Sequence, residues 1–178
     1  MSEAMTVDSV RYNRTARTLH WILALLVITN LATGLLHEPL EHSIKLMPFH
    51  KAVGITILGL TLVRILWRLG WHAAAFPTEM SGLERWAARA VHFAFYFLLI
   101  AMPLTGWIVA STGKTPISWF GLFAWPKLAV AKGTTIAAVG HEGHELMGWL
   151  FLALVVLHIA AALRHHFLLR DDVLRRMV

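Results

Sequence analysis

Four long apolar runs separated by short polar stretches organise this chain: Thr18 to Leu36, Phe49 to Trp67, Ala90 to Ala110 and Glu145 to His165. Each has the length of about 20 residues that a helix needs to cross roughly 30 Å of hydrocarbon. Lipid offers no partner to an open backbone amide, so each run is predicted to be helical. The expected fold is an all-α integral membrane protein, a four-transmembrane-helix bundle in one domain spanning residues 1–178. Lys51 and Arg64 fall inside the second run, but near its ends, where long basic side chains snorkel to the interface. The first run is read as a retained span: a long polar leader precedes it and no small-x-small cleavage site follows. No run repeats another, so no internal duplication is expected.

Composition supports this reading. Of 178 residues, 57% are hydrophobic and only 15% charged, which is too apolar for a soluble domain of this size. The net charge of +6 is then a topology signal. With the amino terminus in the cytoplasm, Arg11, Arg14, Arg17, Arg64, Arg68, Arg85, Arg89, Arg164, Arg170, Arg175 and Arg176 fall inside, and Lys45, Lys51, Lys114, Lys127 and Lys132 outside. The positive-inside rule therefore predicts both termini to be cytoplasmic. Nucleic-acid binding, the other meaning of a basic chain, is set aside because the arginines flank spans and form no single soluble patch. The absence of cysteine excludes covalent c-type haem attachment, thiolate-bound iron–sulfur clusters and disulfides.

Between the third and fourth runs, Pro116 to Leu128 carries Trp119, Phe120, Phe123, Trp125 and Pro126. It is too short and broken to cross, and is expected to lie on the outer surface as an interfacial helix or turn.

Candidate chemistry rests on histidine. His20 lies near the inner start of the first span, His50 at the outer start of the second, and His144 at the outer start of the fourth. His158 follows His144 by fourteen residues. That separation is about 21 Å along a helix and returns the side chain to within roughly 40° of the same face. Depth then pairs His50 with His144 near the outer surface and His20 with His158 toward the inner one, a geometry that two b-type haems stacked across the membrane would accept. Gly54 and Gly148 each follow an outer ligand by four residues, where a missing side chain lets a flat macrocycle approach. A single membrane histidine more often packs than ligates; four that pair by depth argue for ligation.

The remaining histidines carry weaker signals. His37 and His42 fall in the first outer loop, His72 in the inner loop, and His141 just before the fourth span. The spacing of His141 and His144 resembles part of a zinc site, but no acidic or thiolate set completes one. His92, His165 and His166 lie at inner helix ends beside Arg68, Arg85, Arg89 and Arg164. They are candidates for haem propionates, a quinone carbonyl or proton relay, against simple interfacial anchoring. No nucleophile–base–orienter set appears, so no hydrolytic catalytic residues are expected.

The stretches R-T-A-R-T-L-H-W at Arg14 to Trp21, F-H-K-A-V-G-I-T-I-L-G-L-T-L-V-R-I-L-W-R-L at Phe49 to Leu69, A-M-P-L-T-G-W at Ala101 to Trp107, and G-H-E with L-H-I-A-A-A-L-R-H-H-F through Phe167 span nearly the whole chain. In them the sequence resembles the bacterial cytochrome b561 family, four-helix di-haem membrane cytochromes that include superoxide oxidase. The resemblance implies two haem b groups with His20, His50, His144 and His158 as axial metal ligands. It also implies electron transfer from superoxide at the periplasmic side to ubiquinone, with His165 matching a position associated with quinone binding. Glu38, Glu41 and the aromatic outer segment lie where the family varies.

The expected activity is thus a superoxide:ubiquinone oxidoreductase in contact with membrane lipid. The outer lysines would steer the superoxide anion, an attraction mostly offset by Glu38, Glu41, Glu142 and Glu145, which leave the outer side only weakly positive. The alternative is a haem-bearing, quinone-reactive anchor subunit serving a redox partner protein such as a dehydrogenase, hydrogenase or small cytochrome. A third class, a non-redox membrane protein whose histidines merely pack, would carry no haem spectrum.

Overall fold

A computed structural model describes residues 11–70 and 81–178; His72 lies outside the described residues. The helices are α1 (Arg14–Leu36), α2 (Met47–Leu69), α3 (Gly82–Thr112) and α4 (Thr135–Arg164). All four are long and apolar enough to cross a membrane.

Their starts are encoded locally. The Asn13 side chain accepts from the Ala16 N–H at 2.8 Å, and the Thr134 hydroxyl from the Ala137 N–H at 3.3 Å. Ser81 and Glu84 cap each other's amides at the head of α3, and Pro48 begins α2 where a missing N–H costs nothing. These caps, rather than hydropathy, decide where α3 and α4 begin, well ahead of the apolar runs at Ala90 and Glu145. His141 consequently lies within α4.

The aromatic segment is not an interfacial helix. It is a hairpin of β1 (Ile117–Trp119) and β2 (Phe123–Trp125), paired antiparallel. Phe120 and Gly121 turn the chain with φ of 49° and 79°, the left-handed conformation that glycine tolerates best. The hairpin docks through its own polar groups: the Trp119 indole donates to the Thr56 hydroxyl of α2 at 3.1 Å. The Trp107 indole of α3 donates to the Pro126 carbonyl at 2.8 Å. Ile117 beneath them is only 2% exposed.

Beyond α4 the helix widens into a π turn (His165–Leu169) and stops at Arg170, whose φ of 54° is left-handed. The tail then folds back on the start of α1. There the Trp21 indole donates to the Met177 carbonyl at 2.7 Å, the Tyr12 N–H to the Arg176 carbonyl at 3.2 Å, and the Arg17 guanidinium to the Val178 main-chain oxygen.

α1 packs on α2, α2 on α3 and α3 on α4. Leu23, Val27, Val53, Ile57, Leu98, Leu99 and Phe151 meet in one buried cluster. Phe151 stands midway in sequence between His144 and His158, so this apolar layer separates the two histidine depths. Elsewhere the helices turn large apolar side chains outward: Leu25, Leu66, Phe93 and Leu157 are between 65% and 75% exposed. So much exposed hydrocarbon on every helix suits lipid and would be an aggregation hazard in water.

Candidate functional site

His50 and His144 face each other across the gap between α2 and α4. The His50 and His144 ring centroids are 6.2 Å apart, with the planes nearly perpendicular at 88°. His50 Nδ1 lies 3.0 Å from the Asn30 carbonyl of α1, and His144 Nδ1 lies 3.1 Å from the Met102 carbonyl of α3. A carbonyl only accepts, so each Nδ1 carries the proton and each Nε2 presents a lone pair. Both rings line a cavity of 480 Å³ that also includes Lys51, Ile117 and the glycines Gly34, Gly54, Gly106 and Gly148.

The glycines divide into two kinds. A Cβ on Gly54 or Gly148 would meet Asn30 Nδ2 at 3.7 Å or Met102 Cε at 3.8 Å, which is ordinary contact. A Cβ on Gly34 or Gly106 would stand 3.0 Å from His50 Cε1 or 2.9 Å from His144 Cε1. All four glycines line the cavity, Gly54 and Gly148 being those the sequence points to, and Gly34 and Gly106 in addition admit the imidazoles.

The second pair, at the other depth of the bundle, joins α1 to α4. The His20 and His158 ring centroids are 6.3 Å apart. Trp21 flanks His20 at 5.5 Å and Phe95 of α3 flanks His158 at 5.0 Å. On the same half of the bundle, the Arg64 Nε donates to the Tyr96 hydroxyl at 3.3 Å, and the Arg68 guanidinium lies 5.9 Å from the Tyr96 ring.

The other histidines join neither pair. His37 caps the end of α1 through the Gly34 carbonyl at 2.6 Å, His42 and His141 are exposed, and His92 is exposed on α3. His166 packs on Phe167. His165, by contrast, is largely buried and donates from Nδ1 to the Asp171 carboxylate at 2.5 Å. Burial alone would raise that carboxyl. The hydrogen bonds from His165 and the Val173 N–H outweigh it and hold Asp171 below the usual carboxylate range. Sequence reasoning missed Asp171, because only the π turn and the left-handed Arg170 bring it back to His165. It also missed Thr33 and Thr105, whose hydroxyls stand 3.4 Å from His50 Nδ1 and 3.2 Å from His144 Nδ1.

Each pair offers two imidazole nitrogens. Among the described residues there is no group of three or more His, Cys, Asp or Glu able to hold a metal. Two nitrogens do not complete a tetrahedral zinc site, but they do complete an iron whose other ligands come from a porphyrin. A metal–imidazole bond of about 2.0 Å on each side puts ring centroids on the order of 6 Å apart. Both pairs match that spacing, so the residues fit the group.

Paired imidazoles within an apolar helical bundle define a class, the membrane b-type cytochromes. The sequence profile of the prokaryotic cytochrome b561 family matches residues 11–178, and the chain belongs to that family. It is similar to cytochrome b561 homolog 2 of Escherichia coli, with 33% identity over 94% of this chain and 91% of that protein. It is also similar to the probable superoxide oxidase CybB of Yersinia pestis, with 28% identity over 90% of this chain and 91% of that protein. A probable Ni/Fe-hydrogenase B-type cytochrome subunit of Cupriavidus necator is 28% identical over 62% of this chain and 45% of that protein. Membership makes the chain a haem-binding redox protein and, with its four spanning helices, a multi-pass protein of the bacterial inner membrane.

Proposed function

We propose that the chain binds two haem b groups and transfers electrons from superoxide at the periplasmic side to ubiquinone. The observation that carries this reading is the facing of two histidine pairs at two depths of one helix, α4, across an apolar layer. His50 and His144 would hold the outer haem, and His20 and His158 the inner one. Held in this way, haem would supply one-electron transfer.

The chain's own residues supply the rest. Two superoxide anions, one ubiquinone and two protons give two dioxygen molecules and one ubiquinol. Lys51, half-buried on the outer cavity wall, and Lys127 beside the hairpin attract the anion. At the other end His165, with its Nδ1–H committed to Asp171, is oriented to hold or pass a proton to the reduced quinone. With the arginine-rich ends inward, that step draws its protons from the cytoplasm. The resemblance to the probable superoxide oxidase supports the choice of donor.

Rapid mixing of the purified protein with superoxide is expected to reduce haem in a salt-dependent reaction, slowed on the order of tenfold at low salt in the Lys51→Gln/Lys127→Gln protein. His165→Ala should leave that reduction intact and slow reoxidation by ubiquinone by roughly 10²-fold. The similarity to the hydrogenase subunit favours a second reading, an anchor subunit that accepts electrons from a partner protein. Failure of superoxide to reduce haem, with efficient reduction by such a partner, would establish that reading in its place.

A further inference from the structure

Two threonine–glycine pairs occupy equivalent places around the outer histidines. In α1 the Asn30 carbonyl accepts from His50 Nδ1–H at 3.0 Å. Thr33, three residues on, donates its hydroxyl to that carbonyl at 3.0 Å and stands 3.4 Å from the same ring nitrogen. In α3 the Met102 carbonyl accepts from His144 Nδ1–H at 3.1 Å. Thr105, again three residues on, donates to the Met102 and Ala101 carbonyls at 3.0 and 2.9 Å and stands 3.2 Å from the ring nitrogen. A glycine follows each threonine. The same arrangement thus occurs twice, as N-L-A-T-G at Asn30 to Gly34 and M-P-L-T-G at Met102 to Gly106. Helix geometry explains it: positions i and i+3 share a face, so carbonyl and hydroxyl converge on one nitrogen, while a glycine at i+4 gives the ring room.

We propose that Thr33 and Thr105 are positioning residues that set the redox potential of the outer centre, by sharing the Nδ1–H of each axial histidine between a backbone carbonyl and a hydroxyl oxygen. This rests on the ligand reading of His50 and His144. Each hydroxyl proton is committed to a backbone carbonyl, so the lone pair on Oγ1 is what faces the ring N–H. A second acceptor draws the Nδ1 proton away from the ring, raises the basicity of Nε2 and favours the oxidised state of a bound iron. Thr105, closer than Thr33, carries the larger share.

The test is a spectroelectrochemical titration of the full-length protein in lipid nanodiscs, with haem counted by pyridine haemochrome. Thr105→Val is expected to raise the potential of the outer centre and Thr33→Val to raise it less, with the inner centre unmoved and two haems retained. Thr105→Ser, which restores the hydroxyl, should return the original potential. If the valine variant does not hold its haem, Thr105→Ala removes the same hydroxyl with less bulk and carries the test. An unchanged outer potential, an equal shift of both centres, or no rescue by serine would overturn the proposal. Two haems in a His50→Ala protein would overturn the ligand reading beneath it instead.

Discussion

A flat imidazole enters the groove of a neighbouring helix only where that helix lacks a side chain, which makes Gly34 and Gly106 as consequential as the histidines they face. Adding a methyl group at Gly106 puts a carbon 2.9 Å from His144 Cε1. The ring must then give way, at a cost of about 1–3 kcal/mol by the usual measure of overpacking. Gly106→Ala is therefore expected to lose the outer haem and keep the inner one by pyridine haemochrome. Gly59→Ala, with nothing within 4 Å of the added carbon, should retain both. At this scale the histidines were legible in the sequence because ionisable groups in apolar runs are conspicuous. The threonines and tight glycines were not, because Thr and Gly are common in membrane helices for other reasons.

At the scale of elements, α4 is the helix on which both pairs depend. Inserting one alanine after Leu152 turns everything beyond it by about 100° and shifts it by about 1.5 Å. While His144 stays opposite His50, His158 is carried about 100° away from its position opposite His20, and one of the two haems should be lost, as counted by the same assay. The π turn and tail form a second such element. Asp171, held below its ordinary value of 3.8, stabilises the folded-back tail fully at pH values above 3.8. That contribution is lost as the pH falls through the depressed value. A spin label at Val178→Cys should become mobile only in acid below 3.8, and in Asp171→Asn its mobility should lose that pH dependence. The hairpin shows what periodicity misses: the segment reads as an interfacial helix or turn, yet it pairs as two strands held by the Trp119 indole on Thr56 and by the Trp107 indole of α3 on the Pro126 carbonyl.

For the whole molecule, the positive-inside rule makes charge asymmetry the basis of the proposed orientation. Arg14, Arg17, Arg64, Arg68, Arg85, Arg89 and Arg164 cluster at the helix ends near both termini, and Lys45, Lys51, Lys114 and Lys127 at the opposite ends. With the arginine-rich end in the cytoplasm, Lys114→Cys should react with an impermeant thiol reagent in intact cells and Arg175→Cys only after lysis. Labelling of Arg175→Cys alone would invert the orientation, and with it the side from which superoxide approaches.

The sequence alone determined the four spans, their helical state and the two depths at which histidines recur, because lipid forces backbone pairing within each helix and a helix has one rise and one period. Tertiary structure alone decided which carbonyls and hydroxyls meet each ring, which glycines admit it, how the aromatic segment folds, and that Asp171 returns to His165. These depend on contacts between helices remote in sequence, such as His144 with Met102, or on single left-handed residues such as Arg170. Neither leaves a period in the chain.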